Sequence, residues 1–248
     1  MKLAVCIPCY NEENYIGAVL ESLANQGNRD FKIFICDNGS TDQTATVARL
    51  VAQNLDLDFE VLIEAQKGTG AASDTAFRKA IGEGFEVIAR TDADALVSPN
   101  WTKVINDHFL RHPQGLASGI TGPLSGELPA GRRAFLKAVS AMAAWFGTFR
   151  PSNYGRNRRG RYVMTNGNNL AIDATTYLAA GGFRRTKIED LHEDRALVND
   201  VRSSRGKVRR VRAMRVQVSS RRIQTWGLLN SLRWYANHSF RGEEVDVR

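Results

Sequence analysis

At 248 residues the chain is long enough to bury a substantial core, as one large α/β domain or two small ones. Its apolar content of 43% and charged content of 24% are ordinary for a soluble globular protein. The net charge of +8 is not, and it points to an anionic partner: a nucleotide, a membrane surface or a nucleic acid.

The first apolar run, residues 3–7, is ended by Pro8 and is too short for a secretory leader. The longest other greasy stretch, residues 138–146, is interrupted by Ser140 and falls short of the about 20 residues that span a bilayer. A cytoplasmic protein is expected, or one peripheral on the inner membrane face. Cys6, Cys9 and Cys36 are too few for a disulfide framework. Cys6 and Cys9 form a C-x-x-C, but Cys6 falls inside a predicted strand and a zinc site wants a second pair. Buried thiols are the expectation.

In chain order, residues 3–7, 31–36, 59–63 and 86–91 read as strands without clean alternation, as in a parallel sheet covered on both faces. Between them, Ile16, Val19, Leu20, Leu23 and Ala24 recur at helical spacing. A second helix begins at the capping cluster Ser40, Thr41 and Asp42 and carries Ala45, Ala48, Val51, Ala52 and Leu55. A third covers residues 71–81. This alternation predicts a doubly wound, mostly parallel sheet flanked by helices, with ligands beyond the carboxyl ends of the strands. Further on, residues 119–131 read as a Gly- and Pro-rich loop, 133–146 as a helix and 150–161 as a basic loop. Residues 162–165 read as a strand, 174–180 and 194–205 as helices, and 208–218 as terminal strands.

Each strand-end loop is polar in its own way. Pro8, Tyr10, Asn11 and Glu12 follow the first strand, and Asp37 to Asp42 follow the second. That second run is equally a good turn and helix cap. Lys67 with its glycines follows the third strand. Asp92 and Asp94 follow the fourth, and two carboxylates two residues apart in an extended segment point the same way. Such a pair suits a hard divalent cation completed by phosphate oxygens, Mn²⁺ or Mg²⁺, although a solvated acidic turn has the same sequence. Gly167 to Asn169, then Glu193 and Asp194 at a helix start, complete the set. A carboxylate there is either helix-start charge or a general base. His192 or His238 could add a metal ligand, though a lone histidine is more often structural.

These motifs, in this order, resemble family-2 glycosyltransferases of the GT-A fold over about residues 3–222. The resemblance implies a hexosyltransferase-type enzyme on a single domain, 1–225. Its nucleotide-sugar half would be 1–110, its acceptor half 111–225, and a helical tail would cover 226–248. It implies that Pro8, Tyr10, Asn11, Glu12, Asp37, Lys67 and Asp92 bind the nucleotide-sugar, with UDP as nucleotide. Asp94, with Asp92, would hold the metal. Asp194 would be the catalytic base, with inversion at the anomeric carbon. Asn169, Glu193, Arg222, Arg233 and Trp234 are weaker candidates for acceptor or phosphate contact. The acceptor would be a carbohydrate or a lipid-linked glycan. Processive members carry Gln-x-x-Arg-Trp. Here Asn230 stands before Arg233 and Trp234, and no membrane span follows, which predicts single-residue transfer.

Arginines cluster at 150–161 and 202–222, the first beside Trp145, Phe146 and Phe149, so docking on an anionic membrane is an option beside solvated faces. Arg221 or Arg222 could also reach a diphosphate. A nucleotidyltransferase would show a Gly-rich, Arg-containing first loop, and a dinucleotide-binding dehydrogenase would show G-x-G-x-x-G there; neither is present. Nucleic-acid binding would leave the carboxylate loops unexplained, so no nucleic-acid partner is expected.

Overall fold

The computed structural model describes residues 1–149, 153, 154, 158, 160–185, 193–221, 223–227 and 230. Their frame is one eight-stranded sheet. Strands β1 (Leu3–Cys9), β2 (Phe31–Asp37), β3 (Phe59–Ile63) and β4 (Val87–Arg90) come from the first part of the chain, together with the short β5 (Ala95–Val97). Strands β6 (Leu116–Pro123), β7 (Leu170–Asp173) and β8 (Val208–Val218) come from the second. The order across the sheet is β3-β2-β1-β4-β7-β6-β8-β5. All pairs from β3 to β4 are parallel, as is β6 with β8. Strand β7 is antiparallel to both its neighbours, and β5 is antiparallel to β8. The two parts of the chain interleave, because β5 lies at the far edge beyond β8.

Period-two alternation sorts the core onto two faces. Leu3, Val5, Ile7 and Cys9 of β1 join a cluster with α1 (Ile16–Ala24), α2 (Thr44–Asn54) and α4 (Trp101–Arg111). Ala4 and Cys6 face α3 (Thr69–Gly82), α6 (Ala174–Ala179) and α7 (Glu193–Ser203). Cys6 and Cys9 therefore lie on opposite faces of the sheet and cannot chelate one ion or bridge to each other. All three thiols are buried and free, and burial pushes the Cys36 thiol up to about 12.

Three expectations are corrected. Residues 162–165 form no strand; the antiparallel strand is β7, placed by the buried run Leu170 to Asp173. The Gly- and Pro-rich stretch is not all loop, since β6 runs through Gly119 to Pro123 before α5 (Ala130–Gly147). Helix α4 was not anticipated, although Trp101, Ile105 and Phe109 bury one face at a four-residue spacing. Strand β8 also slips register: Ser118 pairs with Arg210 and Ile120 with Arg215, so β8 bulges between these pairs.

Candidate active site

The carboxyl ends of β1, β2 and β4 bring three loops side by side, as a parallel sheet requires. The first two are laced together. Asn11 takes a positive φ of 54°, which asparagine tolerates, and its Oδ1 accepts from the Thr41 backbone N–H at 2.9 Å. The Asn11 N–H donates to Ser40 Oγ at 3.0 Å, and the Glu12 N–H to Thr44 Oγ1 at 2.7 Å. The Ser40 hydroxyl and N–H both donate to Asp37 Oδ1. Asn38 carries the lacing on to the loop after β3, donating to the Glu64 and Gln66 carbonyls and accepting from the Gly68 N–H at 2.7 Å. Lys67 turns back onto the carbonyls of Asn38 and Gly39 at 3.0 Å each, with its ammonium 3.9 Å from the Tyr10 ring centroid. Tyr10, Asp37 and Lys67 thus share one end of the cleft. Pro8 is buried within β1, paired with Cys36.

Two guanidinium groups organise the other end. Arg221, from the segment after β8, makes a two-pronged contact with Glu12, one arm at 2.8 Å, and reaches Asp94 at 3.4 Å. The Tyr15 ring lies 4.6 Å from its guanidinium. Burial raises the Glu12 carboxyl to about 7 against the pull of Arg221, with Asp94 and Asp92 adding to the rise. Arg90, at the end of β4, is fully buried. Its Nε and Nη2 donate to Asp92 Oδ1 at 3.1 and 3.0 Å, and its Nη1 to Glu193 Oε1 at 3.2 Å. Both aspartates sit in a turn, closed by the Ala95 N–H on the Asp92 carbonyl at 3.2 Å. The extended geometry expected for them is therefore corrected. They still share an outward side, because Thr91, Ala93 and Ala95 between and around them are buried.

Glu193 and Asp194 open α7. Asp194 Oδ1 accepts from the Arg195 N–H at 2.6 Å and Oδ2 from the Gly167 N–H at 3.2 Å. Burial, then the adjacent Glu193 charge, raises the Asp194 carboxyl to about 7, while the two N–H donors and Arg90 oppose the rise. Gly167 leaves room for Arg90: a Cβ on it would stand 3.0 Å from the guanidinium carbon and would press on that buried group. Asn168 accepts from the Thr121 hydroxyl at 2.9 Å. Asn169 is wholly buried and committed. It accepts from Trp101 Nε1 and donates to the carbonyls of Ile120 and Met214, pinning the β8 bulge. It lies behind the cleft and offers nothing to an acceptor or phosphate. Glu193 is likewise buried and turned to Arg90, so it positions that arginine rather than meeting a ligand.

Arg222, Arg233, Trp234, His192 and His238 lie outside the described residues. Arg90 was missed by sequence reasoning; its signal is the single charge ending the apolar strand Val87-Ile88-Ala89, two residues before Asp92. The arginine cluster at 202–222 is not one solvated stripe. Arg202 is buried and donates to the carbonyls of Asn153 and Gly160, Arg210 donates to those of Gly119 and Met164, and Arg221 belongs to the cleft.

Among the described residues, no group of three or more His, Cys, Asp and Glu could hold a metal alone. The Asp92 and Asp94 side chains, 32% and 16% exposed, offer hard carboxylate oxygens suited to Mn²⁺ or Mg²⁺ whose remaining ligands are phosphate and water. The residues fit the ion on those terms.

Comparison with known proteins bears on the family and the fold. Chondroitin synthase of Escherichia coli is 34% identical over 107 residues, 43% of this chain and 15% of that protein. The poly(ribitol-phosphate) β-N-acetylglucosaminyltransferase TarS of Staphylococcus aureus is 35% identical over 85 residues, 34% of this chain and 15% of that protein. The aligned stretch is thus a small part of these relatives. Among solved structures, a mannosyltransferase from Pyrobaculum calidifontis in complex with GDP-Man and Mn²⁺ superposes with a TM-score of 0.66. It is 20% identical, over 90% of this chain and 59% of that one. S. aureus TarS 1–349 in complex with UDP superposes at 0.65 with 16% identity, over 93% and 64%. These likenesses establish the GT-A-like fold. The family model described as glycosyl transferase family 2 matches residues 4–175, and the chain belongs to that family.

Proposed function

We propose that the protein transfers a sugar from a UDP-sugar to an acceptor hydroxyl, with inversion and one residue at a time. The observation that supports this reading is that buried Arg90 joins Asp92 to Glu193, which brings the turn holding Asp92 and Asp94 toward Asp194 at the start of α7. In this reading residues 1–110 serve the donor: Tyr10 and Lys67, stacked on each other, lie beside the base, Asp37 accepts a hydrogen bond from it, and Asn11 and Glu12 shape the loop. Asp94, with Asp92 beside it, would hold Mn²⁺ or Mg²⁺, which when bound stabilises the charge developing on the departing diphosphate.

The reacting sugar becomes oxocarbenium-like, so the acceptor oxygen needs only modest activation. Asp194 takes the hydroxyl proton late in the transfer. A carboxylate titrating near 7 is a better base at neutral pH than an ordinary aspartate, and the Gly167 and Arg195 N–H groups fix where its oxygens point. Asn230, standing where processive members carry Gln, supports single transfer. The nucleotides in the solved neighbours, UDP and GDP-Man, support a nucleoside diphosphate-sugar donor. Incubating the protein with a panel of UDP- and GDP-sugars and Mn²⁺ tests the reading, since slow hydrolysis of one donor is expected without acceptor. No nucleotide release from any donor would refute it.

A further inference from the structure

We infer that α5 is a membrane-surface helix that docks the protein on an anionic lipid leaflet. From Ala134 to Phe146, every exposed described side chain of this helix is apolar. Phe135 and Met142 are 53% exposed, Trp145 56%, and Phe146 and Phe149 60%. Phe135, Met142, Phe146 and Phe149 are spaced by seven, four and three residues, which lines them along one side of a helix about 27 Å long. The half-buried Leu136 and Val139 flank this line on its inward edge. Trp145 closes the stripe with Phe146 and Phe149, ring centroids 5.0 and 5.1 Å apart. An outward apolar face on a surface helix calls for a cover.

Charge identifies the cover. Residues 128–172 contain eight basic residues and no acidic one. The rest of the chain carries 26 of each sign, so the whole net charge of +8 lies in the segment that bears the aromatic stripe. Arg132 is exposed on the first turn of α5, and Arg158 and Arg161 follow the helix. Aromatic rings on one face with basic side chains around them are the makeup of helices that lie in the headgroup region of anionic membranes. The placement matters for the reaction. Gly147, at the end of α5, faces the Tyr162 ring, which a Cβ built on it would meet at 3.6 Å, and Asn153 accepts from Arg195, the neighbour of Asp194. Docking by α5 would therefore turn the Asp194 side of the cleft toward the lipid and favour a lipid-linked acceptor. That last step rests on the base assigned above; the docking does not.

The test is cosedimentation with vesicles of phosphatidylcholine alone, or mixed with phosphatidylglycerol, at low and high salt. Binding to the anionic vesicles, weakened by salt, is expected. Arg132→Gln with Arg133→Gln should weaken it roughly 30-fold, taking each charge as about fivefold. Trp145→Ser with Phe146→Ser should abolish it. Both pairs should keep the wild-type circular dichroism and donor hydrolysis in solution. Absence of binding to anionic vesicles at low salt overturns the inference, as does binding that survives the aromatic substitutions. A dimer that the aromatic substitutions convert to monomer, without vesicle binding by the wild type, would assign the face to a second copy and equally overturn it.

Discussion

Arg90→Met keeps most of the buried side chain's length and removes its charge. The guanidinium it deletes is 2% exposed and holds Asp92 on one edge and Glu193 on the other. Asp92, with a third of its side chain in water, can be resolvated. Glu193, 11% exposed and next to Asp194, cannot without opening the start of α7. Breaking a buried pair by removing one partner costs about 3–5 kcal/mol, and the exposure of Asp92 puts the expectation near 3. For a protein stable by about 5–15 kcal/mol this is a large share. With a urea slope of about 1–3 kcal/mol per molar, the unfolding midpoint should fall by roughly 1–3 M without change in slope. Adding Glu193→Gln should return much of the loss, because the uncompensated charge is then gone. The pH profile gives a second readout: Arg90 opposes the rise of the Asp194 carboxyl, so its removal should move the acid limb of transfer to higher pH. A stability loss below about 1 kcal/mol, unaffected by Glu193→Gln, would show that Arg90 does not hold these carboxylates.

Asp194→Asn should lower transfer on the order of 10²-fold or more while leaving UDP affinity near wild type, measured by steady-state kinetics and calorimetry. In the wild type the base works only when deprotonated, so the transfer rate should climb as pH rises through about 7 and then level off; a rate flat from pH 5 to 8 would exclude this role. Asp94→Ala should remove the dependence of UDP affinity on Mn²⁺, and equal UDP affinity of the wild type in EDTA and in Mn²⁺ would remove the metal from the reading.

The parallel half of the sheet is legible because its causes are local. Each of β1 to β4 is a short apolar run, and the helices between them bury one face at a three-and-four spacing, as Ile16, Val19, Leu20 and Leu23 do. The second half is decided by partners far along the chain. Strand β6 contains two glycines and a terminal proline, and its place depends on pairing with β8 some ninety residues later. The Gly167–Asn169 motif marks the right place for reasons its pattern does not state. Gly167 makes room for Arg90, and Asn169 ties Trp101 to the β8 bulge, so both act from behind the cleft. Arginine reads as surface by default. Only the partners that the fold brings to them, carboxylates at Arg90 and Arg221 and the carbonyls of Asn153 and Gly160 at Arg202, reveal that these three are interior or cleft residues.

The same arginines bear on why a cation belongs in the proposed reaction. Glu12, Asp92, Asp94, Glu193 and Asp194 face two guanidinium groups, Arg90 and Arg221, and both of those are already engaged. A diphosphate entering beside Asp94 would meet an excess of negative charge, reduced only in part by the raised Glu12 and Asp194 carboxyls. Lys67 lies at the base end, held over Tyr10. Like charges a few ångströms apart in a partly buried site repel by several kcal/mol. A divalent ion held by Asp94 would offset most of that excess. It would also compete with the 3.4 Å contact from Arg221, leaving that arginine on Glu12, where its shorter arms already lie. Donor and ion would then bind together, each weakly without the other, which is the linkage that the calorimetry on Asp94→Ala measures.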